Sequence, residues 1–347
     1  MSSKTFAGNF FEDFRVGQVL KHATPRTITE GDVALYTALY GPRYAINSSD
    51  EFARSMGLPR APVDDILAFH MVFGKTVPDV SLNAVANLGY ANGKFGVPVF
   101  PGDTVTTTST VTGLKQNSNG KTGVVYVNSV GKNQHGYVVL DYTRWVMVNK
   151  KDEQKPAPEA VTPTLPSAVP VEELHIPTFK LENYDTTLSG SKFTWGDYAV
   201  GEQIDHVDGM TIEEAEHMLA TRLYQNTAKV HFDQHAANAG RFKRRLIYGG
   251  HIISLARCLS FNGLANAFKV LAINGGSHAN PTFAGDTIYA HSEVLEKIEL
   301  PGSGIGALRV RLVATKNRPC SDFPYKKDGK YDDSVVLDLD YTLALPR

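Results

Sequence analysis

Cysteine is scarce in this chain: Cys258 and Cys320 are the only two among 347 residues. Two isolated thiols in unrelated contexts exclude a disulfide framework and a CxxC metal pair, so we expect a reducing compartment such as the cytoplasm. A charge excess is also lacking, because 35 Lys and Arg nearly balance 36 Asp and Glu. Without a global field, neither nucleic acid nor an anionic membrane is an expected partner. An anionic ligand must therefore be bound by a local basic cluster.

Long apolar runs are missing as well. No stretch of about 18 apolar residues occurs, so the sequence predicts no membrane-spanning helix. The beginning carries early acids and no apolar core, which predicts no signal peptide. What is present is the composition of an ordinary globular protein, with 42% apolar and 20% charged residues. The length favours two domains over one.

The sequence also matches itself, at an offset of 184 residues in the first part and with gaps further along. Residues 11–17 match 195–201, His22 matches His206, and Tyr40 matches Tyr224. Further along, FPGDT at 100–104 matches FAGDT at 283–287, and VVLD at 138–141 matches VVLD at 335–338. The period is much longer than the roughly 20–50 residues of solenoid repeats. The pattern therefore predicts a duplicated domain.

A proline-rich segment separates the two copies. Residues 151–171 contain Pro156, Pro158, Pro163, Pro166 and Pro170, a composition typical of an extended linker. We therefore predict an N-terminal half at 1–150 and a C-terminal half at 172–347. The second half has an insertion at 318–331, which we predict to be a long hairpin loop.

Each half has helical patterns first and alternating patterns afterwards. A capping box is predicted at Thr27 with Glu30 and again at Thr211 with Glu214, each opening a helix. Apolar runs at 66–77 and 251–268 predict a buried central helix in each half, and period-two alternation, clearest at 337–345, predicts antiparallel strands. The expected class is α+β, a curved antiparallel sheet wrapped around one buried helix, twice.

The residues most suited to chemistry lie in the second half. His231 follows the capped helix, and Gly249 and Gly250 open the buried helix. Glycines at a helix N-terminus leave N–H groups free, and the helix dipole favours negative charge there. A thioester oxygen bound at this point could become an enolate oxyanion while His231 activates water or moves a proton. Asn226 could hold that water or orient the imidazole.

The order of elements, the pattern around His231 and the Phe-x-Gly-Asp-Thr strand starts resemble the MaoC-like, (R)-specific enoyl-CoA hydratase family. On this chain the histidine of the family motif falls on His231, its later aspartate on Asp233, and its closing His-Gly on Gly249 and Gly250. Long segments in both halves, such as NFFEDFRVGQ and LIYGGHIISLAR, resemble one branch in particular, the mesaconyl-CoA hydratases or 3-methylmalyl-CoA dehydratases.

The resemblance implies a tandem (double) hot-dog fold and a hydro-lyase. The implied reaction is the reversible hydration of mesaconyl-CoA (2-methylfumaryl-CoA) to 3-methylmalyl-CoA. No separate cofactor is implied, since coenzyme A is part of the substrate. A homodimer is a plausible assembly for this fold.

Departures from the family motif shape the expected roles. The catalytic aspartate of the family falls on Asn226, which cannot act as a general base, so the proton transfer falls mainly to His231. Asp233 is a second candidate partner for His231. In the first half, Asn47 and Pro42 stand where the second has His231 and Asn226, so we expect one active site per chain. The first half would then complete the tunnel for the CoA arm.

Anion binding is expected from the densest basic cluster in the chain. This cluster consists of Arg241, Lys243, Arg244 and Arg245, just before the two glycines. It would bind either the free carboxylate of the substrate or the phosphates of CoA. His231 and His235 have the spacing of a zinc pair, but no third ligand is evident, so no metal is expected.

Other functions remain open at this point. The same fold and site would serve a hydratase for another enoyl-CoA, or a thioesterase that hydrolyses acyl-CoA. Asn226 in place of aspartate would also suit a non-catalytic acyl-CoA-binding protein. The sequence leaves stereochemistry and oligomeric state open.

Overall fold

Strands with alternating buried and exposed residues form the framework of the protein, whose computed structural model describes residues 4–347. They join into one antiparallel sheet of eleven strands, beside a separate two-stranded ribbon. The strands are β1 (Val19–Thr27), β2 (Ala84–Phe95), β3 (Thr104–Gln116), β4 (Thr122–Lys132), β5 (Val138–Asn149), β6 (Gln203–Asp205), β7 (Met210–Thr211), β8 (Lys269–Ser277), β9 (Thr287–Glu299), β10 (Ile305–Lys316), β11 (Lys326–Lys327), β12 (Lys330–Tyr331) and β13 (Val335–Pro346).

Helices lie mainly between β1 and β2 in the first half and between β7 and β8 in the second. They are α1 (Glu30–Tyr40), α2 (Ala45–Ser48), α3 (Asp50–Ser55), α4 (Asp65–Thr76), α5 (Thr186–Ser189), α6 (Glu214–Leu223), α7 (Lys229–Phe232), α8 (Gln234–Asn238), α9 (Gly249–Leu259) and α10 (Phe261–Leu264). A π-helical turn, Val77–Ser81, continues directly from α4.

The order of strands in the sheet shows the duplication. It runs β1-β3-β4-β5-β2-β8-β13-β10-β9-β6, with β7 also paired to β9. The first five positions belong to the first half and the rest repeat that order in reverse. The halves meet where β2 pairs antiparallel with β8, from Tyr90 opposite Gly276 to Lys94 opposite Ala272. The ribbon β11–β12 lies in the predicted insertion at 318–331.

One buried helix supports the sheet in each half. Residues 66–76 of α4 are all buried, as are residues 250–259 of α9, which is expected of helices that are apolar on nearly every side. α4 packs on β1, β3, β4 and β5, α9 packs on β9, β10 and β13, and the two helices contact each other. The α+β prediction of a sheet and a central helix, occurring twice, is confirmed.

The predicted capping boxes are wrong. Thr27 ends β1 and its Oγ1 lies 2.7 Å from Oγ1 of Thr104. In the second half, Thr211 pairs in the same way with Thr287, at 2.8 Å. These threonines are cross-strand pairs, so the helix cap moves to Thr29, whose hydroxyl accepts the N–H of Asp32. α6 follows Glu213 without a side-chain cap.

The proline-rich segment lies between β5 and α5 and follows the sheet. Val161 forms an isolated antiparallel bridge with Leu114, with N···O distances of 2.8 and 2.9 Å. Further on, the N–H of Val169 donates to Oδ1 of Asn274. The segment therefore contacts β3 of the first half and β8 of the second. The division of the chain at 150 and 172 stays a prediction.

None of the helices in residues 4–347 combines the length and apolar character needed to cross a bilayer.

Candidate active site

A cavity of about 260 Å³ lies between the two halves, beside the pair of central helices. The first half contributes the end of α4 with its π-helical turn, and parts of β2 and β5. The second half contributes the loop before α7, the start of α9 and the chain after β8. Its polar lining residues are Ser81, Asn87, Tyr90, Arg144, Asn226, His231, Tyr248, His278, Asn280 and Thr282.

His231 lines this cavity from the short helix α7. Its Nδ1 lies 2.7 Å from the carbonyl oxygen of Leu246. A carbonyl only accepts, so Nδ1 carries the proton and Nε2 retains a free lone pair. Burial lowers the pKa of His231 to about 4, although the hydrogen bond to Leu246 acts in the opposite direction. The imidazole is therefore neutral near pH 7 and able to accept a proton at Nε2.

The start of α9 is positioned by another histidine. The backbone N–H of Tyr248, just before the helix, donates to Nε2 of His217 at 2.9 Å. The His217 ring lies 6.2 Å from that of His231 between centroids, and burial lowers its pKa to about 2. A neutral His217 can accept the Tyr248 N–H, so it fixes the N-terminus of α9 beside His231.

Gly249 and Gly250 begin α9, and in residues 4–347 neither N–H has a hydrogen-bond partner. A Cβ on Gly249 would lie 2.4 Å from the His278 ring, and one on Gly250 would lie 2.4 Å from the Tyr248 ring. Both positions therefore require glycine for close packing. Gly249 lines the cavity, while Gly250 is buried behind it. The role of Gly250 as an oxyanion donor stays a prediction.

Asn226 is buried and lines the cavity, as its predicted role requires. Its Oδ1 accepts the N–H of Ala228 at 3.2 Å, which sets the orientation of the amide. Nδ2 has no partner elsewhere in the described chain, so it is available to donate to a ligand or to water.

Asp233 does not orient His231. Its carboxylate caps α8 by accepting the N–H of Ala236 at 3.0 Å, while His231 donates to Leu246 instead. The two residues lie on either side of a helix boundary, which explains the different directions. His235 is exposed, and no group of three or more metal-binding side chains occurs in the described residues.

The basic cluster lies outside the cavity. Arg241, Lys243 and Arg244 are exposed, and Arg245 pairs with Glu214 at 3.2 Å. Arg241 and Arg244 line a neighbouring surface depression. That depression shares Ala84, Ala228 and Val230 with the cavity lining. This position suits a phosphate-bearing group that extends out of the cavity better than a group bound inside it.

Two cavity residues were not predicted from the sequence. His278 follows β8, its Nε2 lies 3.3 Å from the Tyr90 hydroxyl, and burial lowers its pKa to about 4. Arg144 on β5 is 0% exposed, and its guanidinium carbon lies 4.3 Å from the Phe73 ring centroid. A signal for Arg144 exists, because the alternation places it on the same buried face as Tyr142 and Val146.

The chain is similar to known proteins over its whole length. A sequence model of the family described as mesaconyl-CoA hydratase matches residues 2–320. The chain is 67% identical over 350 residues to the β-methylmalyl-CoA dehydratase of Chloroflexus aurantiacus, covering 100% of this chain and 99% of that protein. It is 60% identical over 345 residues to the mesaconyl-CoA hydratase of Cereibacter sphaeroides, covering 99% and 100%.

Solved structures agree on the fold. A crystal structure of a MaoC domain protein dehydratase from Chloroflexus aurantiacus has a TM-score of 0.98 at 66% identity, covering 100% of this chain and 99% of that one. A Mycobacterium tuberculosis protein described as having a double hotdog fold has a TM-score of 0.77 at 24% identity, covering 98% and 99%. The α+β tandem hot-dog prediction is confirmed, and the chain belongs to the mesaconyl-CoA hydratase family.

Proposed function

We propose that this protein is a hydro-lyase that reversibly converts mesaconyl-CoA (2-methylfumaryl-CoA) to 3-methylmalyl-CoA. The observation that carries the proposal is the neutral His231, with a free Nε2, in a cavity that Gly249 also lines with an unpartnered N–H. The names of the Chloroflexus and Cereibacter relatives support the same substrate.

The proposed chemistry needs one base, one donor and water. Nε2 of His231 takes a proton from water that Asn226 Nδ2 holds, and the oxygen adds to the β-carbon of the thioester. The electron pair moves to the thioester oxygen, where an N–H at the positive end of α9 stabilises the enolate. The imidazolium then returns a proton to the α-carbon, and its lowered pKa makes it a strong donor for this step.

Substrate placement follows from the residues that line the cavity. The acyl group would lie in the cavity of about 260 Å³, beside His231 and Gly249. We propose that the CoA arm leaves through the adjoining depression, where Arg241 and Arg244 bind its phosphates.

The proposed reaction needs no separate cofactor, because coenzyme A is part of the substrate. A homodimer stays a prediction, which analytical ultracentrifugation would test.

The test is an assay with purified protein and mesaconyl-CoA. We expect loss of the enoyl-thioester absorbance, no release of free thiol, and a product whose mass is higher by one water. Free thiol would identify a thioesterase instead, and binding without either change would identify an acyl-CoA carrier.

His231→Ala removes the proposed base. We expect its turnover of mesaconyl-CoA to fall by at least about 100-fold with the fold intact. The control is Asn47→Ala at the equivalent position of the first half, where Asn47 donates to the Pro62 carbonyl at 3.0 Å. Its activity should stay within a few-fold of the unmodified protein. Equal losses in both variants would contradict the one-site proposal.

A further inference from the structure

We propose that Arg144, which the first half supplies, binds the distal carboxylate of a dicarboxylic acyl group whose thioester lies beside His231. The inference rests on the proposed function and names the residue that selects its substrate. It also assigns to the first half a direct role in substrate recognition.

Arg144 is a buried cation without an anionic partner. Its Nη2 donates to Thr76 Oγ1 at 2.7 Å and to Ser81 Oγ at 3.3 Å, which are both neutral oxygens. Nε is buried and has no hydrogen-bond partner, and no carboxylate in residues 4–347 forms an ion pair with the guanidinium. A buried charge is costly unless it is paired. A carboxylate entering the cavity would supply the missing partner.

A second buried arginine, Arg257, provides a comparison, because its guanidinium donors have partners within the protein. Arg257 on α9 donates to the Ala267 carbonyl and to the Tyr44 hydroxyl, each at 2.5 Å. Burial acts to lower the pKa of both guanidinium groups, but around Arg257 the opposing effects of Tyr44, Tyr341 and Asp64 raise its pKa, whereas the pKa of Arg144 is lowered. The donors of Arg257 are thus used within the protein, whereas Nε of Arg144 is buried without a hydrogen-bond partner.

Asn87 adds a further unused donor at the same place. Its Nδ2 is buried without a hydrogen-bond partner, and its Oδ1 lies 3.4 Å from Nη1 of Arg144. Both residues line the cavity. A carboxylate between them would accept from the guanidinium and from the amide, a charge-assisted arrangement. The bonds to Thr76 and Ser81 hold the guanidinium in position for it.

The rest of the cavity wall makes Arg144 the selective element. Among the lining residues that the structure describes, it is the only Lys, Arg, Asp or Glu, and most others are apolar. His231 and His278 are neutral near pH 7, because burial lowers the pKa of each to about 4. One fixed positive charge in an apolar wall favours one carboxylate over a methyl group.

The second half does not repeat this feature. In the alignment that matches 138–141 with 335–338, Arg144 corresponds to Tyr341, which is 0% exposed. The copy with the imidazole thus lacks the cation, and the copy with the cation lacks the imidazole. One complete site needs both halves.

The experiment compares two substrates that differ only at the distal group. Mesaconyl-CoA carries a carboxylate where (E)-2-methylcrotonyl-CoA carries a methyl group. For Arg144→Gln, we expect kcat/KM for mesaconyl-CoA to fall by about 100-fold or more, as for truncation of a buried charge pair. Turnover of 2-methylcrotonyl-CoA should change by less than about threefold, and Arg144→Lys should recover part of the loss.

Two controls separate this effect from a general defect. Arg311→Gln on β10, where Arg311 pairs with Glu293 outside the cavity, should leave both substrates unchanged. His231→Ala should reduce turnover of both. If Arg144→Gln does not fold, Asn87→Ala tests the carboxylate site instead. We expect the ratio of kcat/KM for mesaconyl-CoA to that for 2-methylcrotonyl-CoA to fall by about tenfold in this variant.

The outcomes distinguish the inference from the proposed function. An unmodified protein that hydrates neither substrate would overturn the proposed function itself. An active protein whose preference survives in folded Arg144→Gln, or in Asn87→Ala where Arg144→Gln does not fold, would overturn only the role of Arg144.

Discussion

Burial holds the imidazoles around the cavity in their neutral form. His217 and His251 are each about 1% exposed, and burial lowers their pKa values to about 2 and about 3. One nitrogen of each ring has a protein partner: His217 Nε2 accepts the Tyr248 N–H, and His251 Nδ1 pairs with the Tyr40 hydroxyl at 2.7 Å. His231 differs from both because it lines the cavity, where its Nδ1 is held by the Leu246 carbonyl and its Nε2 has no partner in the described residues.

This state of His231 predicts the acid limb of the pH profile. The base must be deprotonated, and burial lowers its pKa from 6.5 to about 4. We expect kcat/KM for mesaconyl-CoA to be nearly constant from about pH 6 to 8 and to fall only below about pH 5. Initial rates across that range, with stability checked at each pH, measure the profile. A fall centred near pH 6.5 would mean that the free-enzyme base is an ordinary solvated histidine.

At this scale, the sequence predicted those cavity-lining residues that one stretch of chain supplies, but not those that distant strands supply. His231, Asn226 and Gly249 lie together because one stretch of chain, 226–249, carries them all. Arg144 and His278 come from distant strands, and only the pairing of β2 with β8 brings them to the same cavity. Alternation along β5 placed Arg144 on the buried face, but composition alone did not show that its charge was unpaired.

Glycines set how closely the helices approach at the scale of elements. Gly74 lies in α4, and a Cβ there would be 1.7 Å from the carbonyl oxygen of Tyr224, just after α6 of the other half. Because backbone cannot yield as a flexible side chain does, this contact requires glycine. The first half's central helix is thereby fixed against the segment that leads to Asn226.

Gly74→Ala should destabilise the protein, and Gly31→Ala provides the matched helical control. A Cβ on Gly31 in α1 would meet only Thr29 Oγ1 at 3.5 Å. We expect Gly74→Ala to lower the free energy of unfolding by about 2 kcal/mol or more, and Gly31→Ala to leave it unchanged or raise it by less than about 1 kcal/mol. Denaturant titration measures both. Equal stability of the two variants would refute the close-contact interpretation.

Element types were predicted more securely than their boundaries. The buried helices were expected at 66–77 and 251–268, and α4 and α9 occupy Asp65–Thr76 and Gly249–Leu259. The second run ends early because Asn262 and Gly263 leave helical geometry. The threonine pairs that replaced the capping boxes depend on strand register, which a local pattern does not contain.

The whole molecule behaves as one unit because its halves share both sheet and core. The hydrophobic core cluster around α4 and α9 contains residues of both halves. Equivalent tyrosines even bond to each other, with the Tyr224 hydroxyl donating to the Tyr40 hydroxyl at 2.8 Å. Separation of the halves would expose these groups together with the cavity. The proposed sites for catalysis and for carboxylate recognition would therefore both depend on the contact between the two halves.

Many buried neutral histidines make the whole protein sensitive to acid. His70, His206, His217 and His251 are at most about 1% exposed, and burial lowers the pKa of each, to about 4 for His206. Their unfolded pKa is near 6.5, so below that pH the unfolded chain binds protons that the folded chain does not. Stability is therefore fully present above pH 6.5 and is lost as the pH falls. Asp64 acts in the opposite sense, because burial raises its pKa to about 6.

Between pH 7 and 5.5, each of these histidines should lower the free energy of unfolding by roughly 1 kcal/mol. Asp64 offsets this sum once, by somewhat under about 1 kcal/mol. The net loss corresponds to a melting temperature lower by several degrees, which differential scanning calorimetry measures. His206→Gln removes one titrating group. The number of protons taken up on unfolding, which sets the slope of stability against pH, should therefore fall by at most about one. A melting temperature that stays constant or rises over this range would show that the histidines are solvated, and the cavity they surround would then lack the low-polarity setting that keeps His231 neutral.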